Sequence, residues 1–528
     1  MNMWKSWMDS GKGKGLSFPV LLPWRILSKW TFTEDLKVMM KLLLYLMPLW
    51  ICGGLAAQDS VLLALSLRNV VDLAISQSSA VKYVQNRDVN YYWRWKNHQT
   101  RFRPQLTLSG DLPDFENQTK PIVQPDGSIV FNQVTQLETN AQVALSQPIP
   151  QLGAYVYAAS GIVRLQDFNN NTTGFSGAPV SVGITQPLFA YNWMRWARMT
   201  EPLVYEEAQK NFIEAIEEIS YEATSRFFRY LRIQTNYALA ESNLRNSRDN
   251  LRIARVRQEL GTISENDFSR IQLSVFNAQK ALNNARIDLK NADYELKRYI
   301  GLDQDQQIEL IIPLDMFLFK VDPDKALEEA LANRKETPQF ERRLIQAERA
   351  LTQAKRNSGL SATLNMSYGL SNSSDMFGGV YENPEQQQNV RLSLSIPILD
   401  WGRSESQVKL AESERELVIY DVEQDRQDFE RRVVVMVEQF NLIKDQMETA
   451  EAADRVAAEG YQIALKKFQN GEISITDLNI SLAEREGAKR DYISSIENYW
   501  ESYFLLREVT LYDFELKQKI YYDNPMLE

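Results

Sequence analysis

The sequence contains an internal repeat in which the second half of the chain matches the first at an offset of 210 residues. The segment VSVGITQPLFAY around Pro187 matches VRLSLSIPILDW around Pro397, and ELGTISENDF around Gly261 matches QNGEISITDL around Gly471. No gap is needed in this register between residues 180 and 296 of the first copy. A repeat at a fixed spacing constrains the architecture strongly, because each copy is expected to form the same structural unit.

The N-terminal segment has the pattern of a secretory signal. Met39-Met40-Lys41 precedes an apolar run over residues 42–51 and the small residues of GGLAAQ at 53–58. This order predicts a signal peptide over residues 39–57, with cleavage near Ala57. Residues 1–38 are interpreted as an over-extended start, with Met39 or Met40 as the true initiator; a cytoplasmic extension is the alternative.

Cysteine and charge narrow the classes of partner. Cys52 is the only cysteine and lies in the predicted signal, so the mature chain is expected to have no disulfide. Lipidation of Cys52 is an alternative, although Leu49-Trp50-Ile51 lacks the small residue expected before a lipid-modified cysteine. The leader carries seven Lys/Arg and three Asp/Glu, so its removal shifts the net charge from -10 to about -14. An acidic chain disfavours nucleic acid as a partner.

Each copy contains one very long segment without Gly or Pro, over residues 203–260 and 403–459. As helices these segments span roughly 85 Å at about 1.5 Å per residue, longer than an ordinary globular domain can cover. Their apolar residues form a narrow stripe that is typical of coiled-coil packing between neighbouring helices. The stripe fits either a solvated coiled-coil rod or a barrel of helices that is wet inside and outside.

Both long segments end in the same turn signal. Gly261 and Gly471 stand where a left-handed residue ends a helix, and Ser264-x-x-Asp267 and Ser474-x-x-Asp477 are variants of the capping box that begins the next helix. The pattern predicts two antiparallel helical hairpins, over residues 200–300 and 403–514, each closed by a turn of two or three residues.

Upstream of each hairpin the apolar period changes to two, over residues 104–190 and 360–399. Runs of about ten alternating residues fit transmembrane β-strands or a one-sided sheet in a soluble protein, and the secretion signal favours the membrane. The first copy has about four strand-like runs and the second has two. The extra runs are expected either to add strands to the sheet or to fold into external loops.

Proline and aromatic residues mark the change from strand to helix. Pro187 and Pro397 fall where each strand must become a helix, a position that tolerates proline. The aromatic residues that follow are placed as membrane-interface anchors would be; they are Tyr191, Trp193, Trp196 and Trp401.

Taken in order, these motifs resemble the outer-membrane efflux protein family, the TolC-like outer-membrane channels. The resemblance rests on PQL-x-LSG at residues 104–110, the paired SQP/TQPLF and SIPILDWG segments and the two G-x-[IL]-[ST]-x-x-D tips. It covers roughly residues 65–514. Each motif alone is weak, but their order and duplication are specific.

The resemblance implies a mainly α fold with a β-barrel portion, in which three chains form an α-helical barrel tunnel joined to an outer-membrane β-barrel. The first repeat would cover residues 58–300 and the second 324–514, with an equatorial segment at 301–323 and a tail at 515–528. It also implies residence in the outer membrane of a Gram-negative bacterium, extending into the periplasm. The channel would conduct passively for a tripartite efflux pump or a type I secretion system. Its partners would be a periplasmic adaptor and a proton-driven or ATP-driven inner-membrane pump.

The resemblance also assigns roles to residues at the tips. The adaptor-docking residues would be Gly261, Thr262, Ile263, Ser264, Gly471, Glu472, Ile473 and Ser474, and the entrance residues Asp477, Phe468, Ile480 and Asp267. Ser264, Ser474 and Asp477 are equally expected to shape the turns and cap the helices. Ile480, Ile473 and Phe468 stand where the family has a second acidic residue, an arginine and a tyrosine. These departures predict an entrance held shut by packing more than by salt bridges.

Other chemistry is not indicated by the sequence. His98 is the only histidine, so a catalytic triad or a histidine-based metal site has little to work with, and neither an enzyme nor a cofactor is expected. The alternative function is a periplasmic coiled-coil adaptor or scaffold without channel activity. Such adaptors usually have one central hairpin between β-domains, whereas here two hairpins alternate with strand pairs.

Overall fold

A computed structural model describes residues 63–316 and 319–527 of the chain. The predicted signal peptide, Cys52 and residues 1–38 lie outside the described residues. Among the described residues, no helix is both long enough and apolar enough to cross a membrane.

Eight α-helices make up most of the described chain, and their bounds repeat. In chain order they are α1 (Leu67–Gln77), α2 (Ser79–Arg101), α3 (Trp193–Glu259), α4 (Glu265–Ile300), α5 (Pro323–Asn333), α6 (Glu336–Asn357), α7 (Arg403–Asn470) and α8 (Ile475–Thr510). The bounds of α4 and α8 differ by 210 residues at both ends, whereas those of α1 and α5 differ by 256. The first copy is therefore 46 residues longer between α2 and the hairpin, where the sequence has its extra strands.

The extra strands join one continuous sheet with the strands that both copies share. The seven strands are β2 (Gln105–Ser109), β3 (Asp114–Val123), β4 (Ile129–Ile149), β5 (Ala154–Asp167), β6 (Thr172–Leu188), β8 (Ser361–Ser374) and β9 (Glu385–Ser395). Their order is β2-β4-β5-β6-β8-β9, every pairing is antiparallel, and β3 continues the edge of β4 beyond β2. The extra strands therefore lengthen the sheet to six positions instead of folding away as loops.

The two faces of this sheet differ in character, as the period of two predicts. The register places Leu108, Val143 and Ser160 on one face, and Val182, Tyr368 and Gln388 continue that face across the sheet. Leu108, Val182 and Tyr368 are exposed in the single chain. The opposite face carries Thr107, Gly183, Ser367 and Asn389. One face is therefore largely apolar and uncovered, and the other is polar with small residues.

The helices form a layer whose order is set by antiparallel packing. In the half that carries the hairpin tips, α4 packs on α3, α3 on α8 and α8 on α7; nearer the sheet, α2 packs on α3, and α6 lies between α3 and α7. Two apolar cores lie at mid-height, one centred on Phe227, Phe228 and Leu296 and the other on Val433 and Leu506. These cores hold the two hairpins of the chain side by side.

Short strands and the C-terminal segment lie against the mid-height cores. The strand β1 (Leu63–Leu65) pairs in parallel with β7 (Ile308–Leu310), and β10 (Tyr512–Asp513) pairs with β11 (Gln518–Lys519). The buried Glu217 carboxylate accepts hydrogen bonds from Arg507 Nε at 2.9 Å and from the Tyr522 hydroxyl at 2.6 Å. A buried carboxylate with a bidentate arginine and a tyrosine is well satisfied, so this network fixes the C-terminal segment to α3.

Candidate functional site at the hairpin tips

The first tip joins α3 to α4 through a three-residue turn. Leu260 is the C-cap of α3, Gly261 follows with φ of +69°, and Ser264 is the N-cap of α4. The Thr262 N–H donates to Arg257 O at 2.8 Å, which satisfies a carbonyl of the last turn of α3. The Asp267 N–H donates to Ser264 Oγ at 3.1 Å. Gly261 is used here because left-handed backbone costs a side-chain-bearing residue about 1–2 kcal/mol.

The second tip is built alike but is capped more completely. Gly471 ends α7 with φ of +83°, and the Glu472 N–H donates to Lys467 O at 2.9 Å. Ser474 accepts from the Asp477 N–H at 3.2 Å, and its own N–H donates to Asp477 Oδ2 at 3.1 Å. These reciprocal bonds form a full capping box. Hydrogen bonds from the Ser474 hydroxyl and amide hold the pKa of Asp477 below its ordinary value.

A small apolar core joins the two tips of the chain. We call it the tip core; its buried members come from all four long helices and are Ala254, Ile271, Tyr461, Phe468, Ile475 and Leu478. Ile263 and Ile473, from the two turns, pack against it. A polar bond between the hairpins lies beside it, from Arg270 Nη1 to Thr476 Oγ1 at 3.3 Å. The tips are thus one packed unit within a chain.

The residues predicted for the entrance do not lie in one environment. Phe468 is buried in the tip core, Asp477 is exposed and bonded to Ser474, and Ile480 is exposed. Asp267 accepts a hydrogen bond from the Ser264 hydroxyl at 2.7 Å, at the first tip. Of the three positions where the sequence lacks the polar residues of the family pattern, Phe468 and Ile473 therefore pack in or against the tip core, whereas Ile480 does not.

The predicted docking residues form two separate surface turns. Six of them are exposed, and they are Gly261, Thr262, Ser264, Gly471, Glu472 and Ser474. The remaining two, Ile263 and Ile473, are half-buried because they pack against the tip core. The N–H groups of Gly261, Thr262, Gly471 and Glu472 all donate to carbonyls of the preceding helix, so each turn presents its exposed groups on a preformed backbone.

The predicted switch residues lie between sheet and helix. Pro187 is the second-last residue of β6, and Pro397 follows the end of β9. Trp401 is 90% exposed, whereas Tyr191 and Trp193 are half-buried. Above the Trp193 ring, the guanidinium of Arg101 lies 4.2 Å from the ring centroid. The strand-to-helix junction therefore carries both covered and uncovered aromatic rings.

Arg257 is a tip residue that sequence reasoning missed. It lies in the last turn of α3, yet its side chain bonds to the end of α7, from Nη1 to Phe468 O at 3.3 Å and from Nη2 to Gln469 O at 2.5 Å. Basic residues are common in the last turn of a helix because they favour its carbonyl end. That signal marks Arg257 as a cap of its own helix and does not predict the crossing to another.

Comparisons with known proteins agree with this architecture. The family model described as "Outer membrane efflux protein" matches residues 132–302 and 326–494. No curated protein matches the chain in a sequence comparison.

Solved outer-membrane channels have a similar fold at low sequence identity. The CmeC channel of Campylobacter jejuni superposes with a TM-score of 0.61 at 13% identity, over 87% of this chain and 88% of CmeC. VceC of Vibrio cholerae gives 0.60 at 11% identity, over 84% and 95%. MtrE of Neisseria gonorrhoeae, solved in an open state, gives 0.58 at 15% identity, over 86% and 91%.

Proposed function

Because the chain belongs to the outer membrane efflux protein family, we propose that three copies of it form a passive exit duct across the outer membrane and periplasm. The family match confirms the resemblance drawn from the sequence, and the chain is an outer-membrane efflux channel protein. The trimer, the route of conduction and the partners are the proposal. Its main support is that the sheet and the helical layer each have two unpaired edges, and that in each layer one edge can pair with the other edge of the next copy.

The two free edges of the sheet are strands that run in opposite directions. β2 and β3 form one edge and β9 the other, and the sheet has six antiparallel positions with both edges counted. With an even number of positions, β9 of one copy meets β2 of the next in antiparallel orientation. Open edges are not viable in lipid, because their N–H and C=O groups have no water to bond. Head-to-tail pairing of unlike edges closes into a ring when the rotation allows.

The helical layer has matching free edges. On α7 the outward stripe has a spacing of seven; its members are Val435, Leu442, Thr449, Val456 and Ile463, all exposed in the single chain. On α4 the outward stripe is Leu273, Phe276, Ile287 and Tyr294, also exposed. Stripes of this kind pack as coiled-coil seams. Since α7 and α4 run in opposite directions, α7 of one copy and α4 of the next continue the alternation of the layer.

The tips support docking of a periplasmic adaptor that joins the duct to an inner-membrane pump. They present exposed backbone turns at Gly261 and Gly471. Farther from the turns, a groove of about 560 Å³ between α3, α4 and α8 is lined mostly by small and amide side chains, among them Asn243, Asn277 and Ala281. A groove of this composition suits a helix from a partner. The cargo is then chosen by the pump, which is driven either by protons or by ATP.

We assign the entrance of the duct to the same tips. Asp477 would line it, with Phe468 and Ile473 closing it by packing, since both contact the tip core. The capping role of Asp477 is compatible with an exposed position facing the opening. Ile480, which is 55% exposed, would add an apolar group to the same opening.

The experiment is reconstitution of the purified mature chain. Native mass spectrometry should give a trimer, and planar bilayers should show discrete conductance steps. The entrance is tested with Asp477→Ala and Phe468→Ala, which should change single-channel conductance or open probability relative to the parent chain. A monomer without conductance would contradict the duct. Unchanged conductance in both variants, with a conducting parent, would contradict the assigned entrance alone.

A further inference from the structure

Arg257 connects the ends of two long helices that belong to different hairpins. Its guanidinium donates to the Phe468 and Gln469 carbonyls of α7, and it lies 5.9 Å from the centroid of the Phe468 ring. Closer to mid-height, α8 packs between α3 and α7. Because α8 begins only at Ile475, beside the tip core, the last turn of α3 can reach α7 directly.

The carbonyls that Arg257 binds are natural acceptors. The last four carbonyls of a helix have no partner within it and carry the negative end of its dipole. At the end of α7, the Glu472 N–H bonds to Lys467 O and the Gly471 N–H to Phe468 O. Gln469 O receives Arg257 Nη2. The arginine therefore completes the capping of α7 from another hairpin, with charge-assisted bonds.

The connection runs in one direction only. The residue that corresponds to Arg257 in the second copy is Lys467, whose side chain is exposed. The end of α3 is capped locally instead, since Thr262 donates both its N–H and its hydroxyl to Arg257 O. Both copies form the same turn, but only the first copy has the contact made by Arg257. The contact is therefore not needed to make the turn.

We propose that Arg257 is a positioning residue that clamps the two tips of each chain together and so keeps the entrance narrow. The inference rests on the proposed duct and adds a control point to its entrance. The clamp is suited to release, because Arg257 is only half-buried and Gln469 is exposed, so water can replace both partners when the tips separate. The tip core beneath it then opens or closes with the position of Phe468, whose carbonyl and ring both face Arg257.

The clamp is tested by measuring tip separation and conductance in the same variants. The predicted mature chain lacks cysteine, so spin labels can be placed at Glu259→Cys and Lys466→Cys, two exposed positions near the ends of α3 and α7. Arg257→Ala removes the clamp, Arg257→Lys keeps the charge without the paired donors, and Lys467→Ala is the matched control from the other copy. Conductance is recorded without labels. Trimer content and circular dichroism show that each variant is folded.

Arg257→Ala should lengthen and broaden the distance between the labels, and open events should become about tenfold more frequent, as expected for loss of a partly exposed charge-assisted bond. Arg257→Lys should fall between, and Lys467→Ala should match the parent chain. An unchanged label distance in folded Arg257→Ala overturns the clamp, as does a longer distance with unchanged conductance. Equal effects of Lys467→Ala overturn it as well. If the distance lengthens but neither the parent nor any variant conducts, the proposed duct fails while the contact itself stands.

Discussion

The helices α4 and α8 occupy the same place in the two copies, with bounds that differ by 210 residues at each end, yet they face different surroundings. α8 lies between α3 and α7, whereas α4 lies at the free edge of the layer. Ile287 of α4 is 61% exposed, and its counterpart Glu497 of α8 is 6% exposed. Burial and polarity are therefore reversed at one repeat position. Duplication preserved the helix, and position within the layer decided what each side chain meets.

Near the C-terminal ends of α4 and α8 the two copies agree more closely. Leu296 and its counterpart Leu506 are both buried in mid-height cores. The next residues are both cations in ion pairs, Lys297 with Asp293 at 2.6 Å and Arg507 with Glu217 at 2.8 Å. Both helices end about one turn later, at Ile300 and Thr510, so these residues have the same place in the repeated unit. The comparison separates positions fixed by the repeated unit from positions fixed by its neighbours.

The largest expected effect is at Ile287, the repeat position at which burial and polarity are reversed between the copies. In the proposed trimer, Ile287→Glu places a carboxylate in each of the three seams between α4 and α7 of the next copy, and an unpaired buried charge costs several kcal/mol. We expect the trimer to dissociate in native mass spectrometry. Arg286→Glu, an exposed change one residue away, should leave the trimer intact. A stable trimer of Ile287→Glu would show that α4 is not at a seam and that its exposure has another cause.

The tips provide a second comparison, at Phe468 and its counterpart Gln258. Phe468 is 4% exposed in the tip core, whereas Gln258 is exposed. Phe468→Ala should lower the local opening free energy at the end of α7 by about 3 kcal/mol, because it leaves a cavity. Gln258→Ala should change it by less than about 0.5 kcal/mol. Amide hydrogen exchange measures both. Similar values for the two variants would mean that the tip core contributes little to joining the tips.

Sequence reasoning succeeded where structure is encoded by neighbouring residues. Gly261 and Gly471 adopt positive φ, and Ser264 and Ser474 cap the next helices, because these conformations depend on a few adjacent groups. The alternation that predicted strands also gives the two faces of the sheet.

The sequence did not predict contacts between residues that are far apart in the chain. The bonds of Arg257 join residues 211 and 212 positions apart, and Arg507 meets Glu217 across 290 positions. The sequence shows these side chains as ordinary charged members of polar helix faces. Likewise, the extra strands were visible, but their place in the sheet depends on pairing between β3 and β4, which composition does not specify.

The third prediction concerns the pH dependence of stability at Glu497, the counterpart of Ile287. Burial raises the pKa of Glu497 to about 7, and Arg232 Nη1, 3.2 Å from Oε2, offsets this only in part. Since the folded pKa exceeds the unfolded value of 4.5, the folded state binds the extra proton between these limits, and stability falls as pH rises through them.

Glu497→Gln mimics the protonated side chain. It should therefore stabilise the folded protein by about 1–2 kcal/mol above pH 7, a value discounted for solvent access, and the gain should vanish near pH 4.5. Thermal unfolding in detergent, followed by circular dichroism at both pH values, measures it. A gain that does not depend on pH would mean that the charge of Glu497 is not the cause. The matched change in the other copy, Ile287→Gln, should show no pH dependence.

The smallest effect compares the caps of α4 and α8. Ser264→Ala and Ser474→Ala each remove an oxygen that accepts an N–H, which costs about 1 kcal/mol of helix stability. The copies should differ at the aspartates, because only Asp477 accepts the N–H of its capping serine. Asp477→Asn should therefore speed amide exchange in the first turn of α8 more than Asp267→Asn speeds it in the first turn of α4.

Since the pKa of Asp477 is lowered, the stability that its carboxylate contributes is present at neutral pH and lost as pH falls through the folded pKa, below 3.8. An equal response at the two tips would show that the second half of the capping box adds nothing in solution.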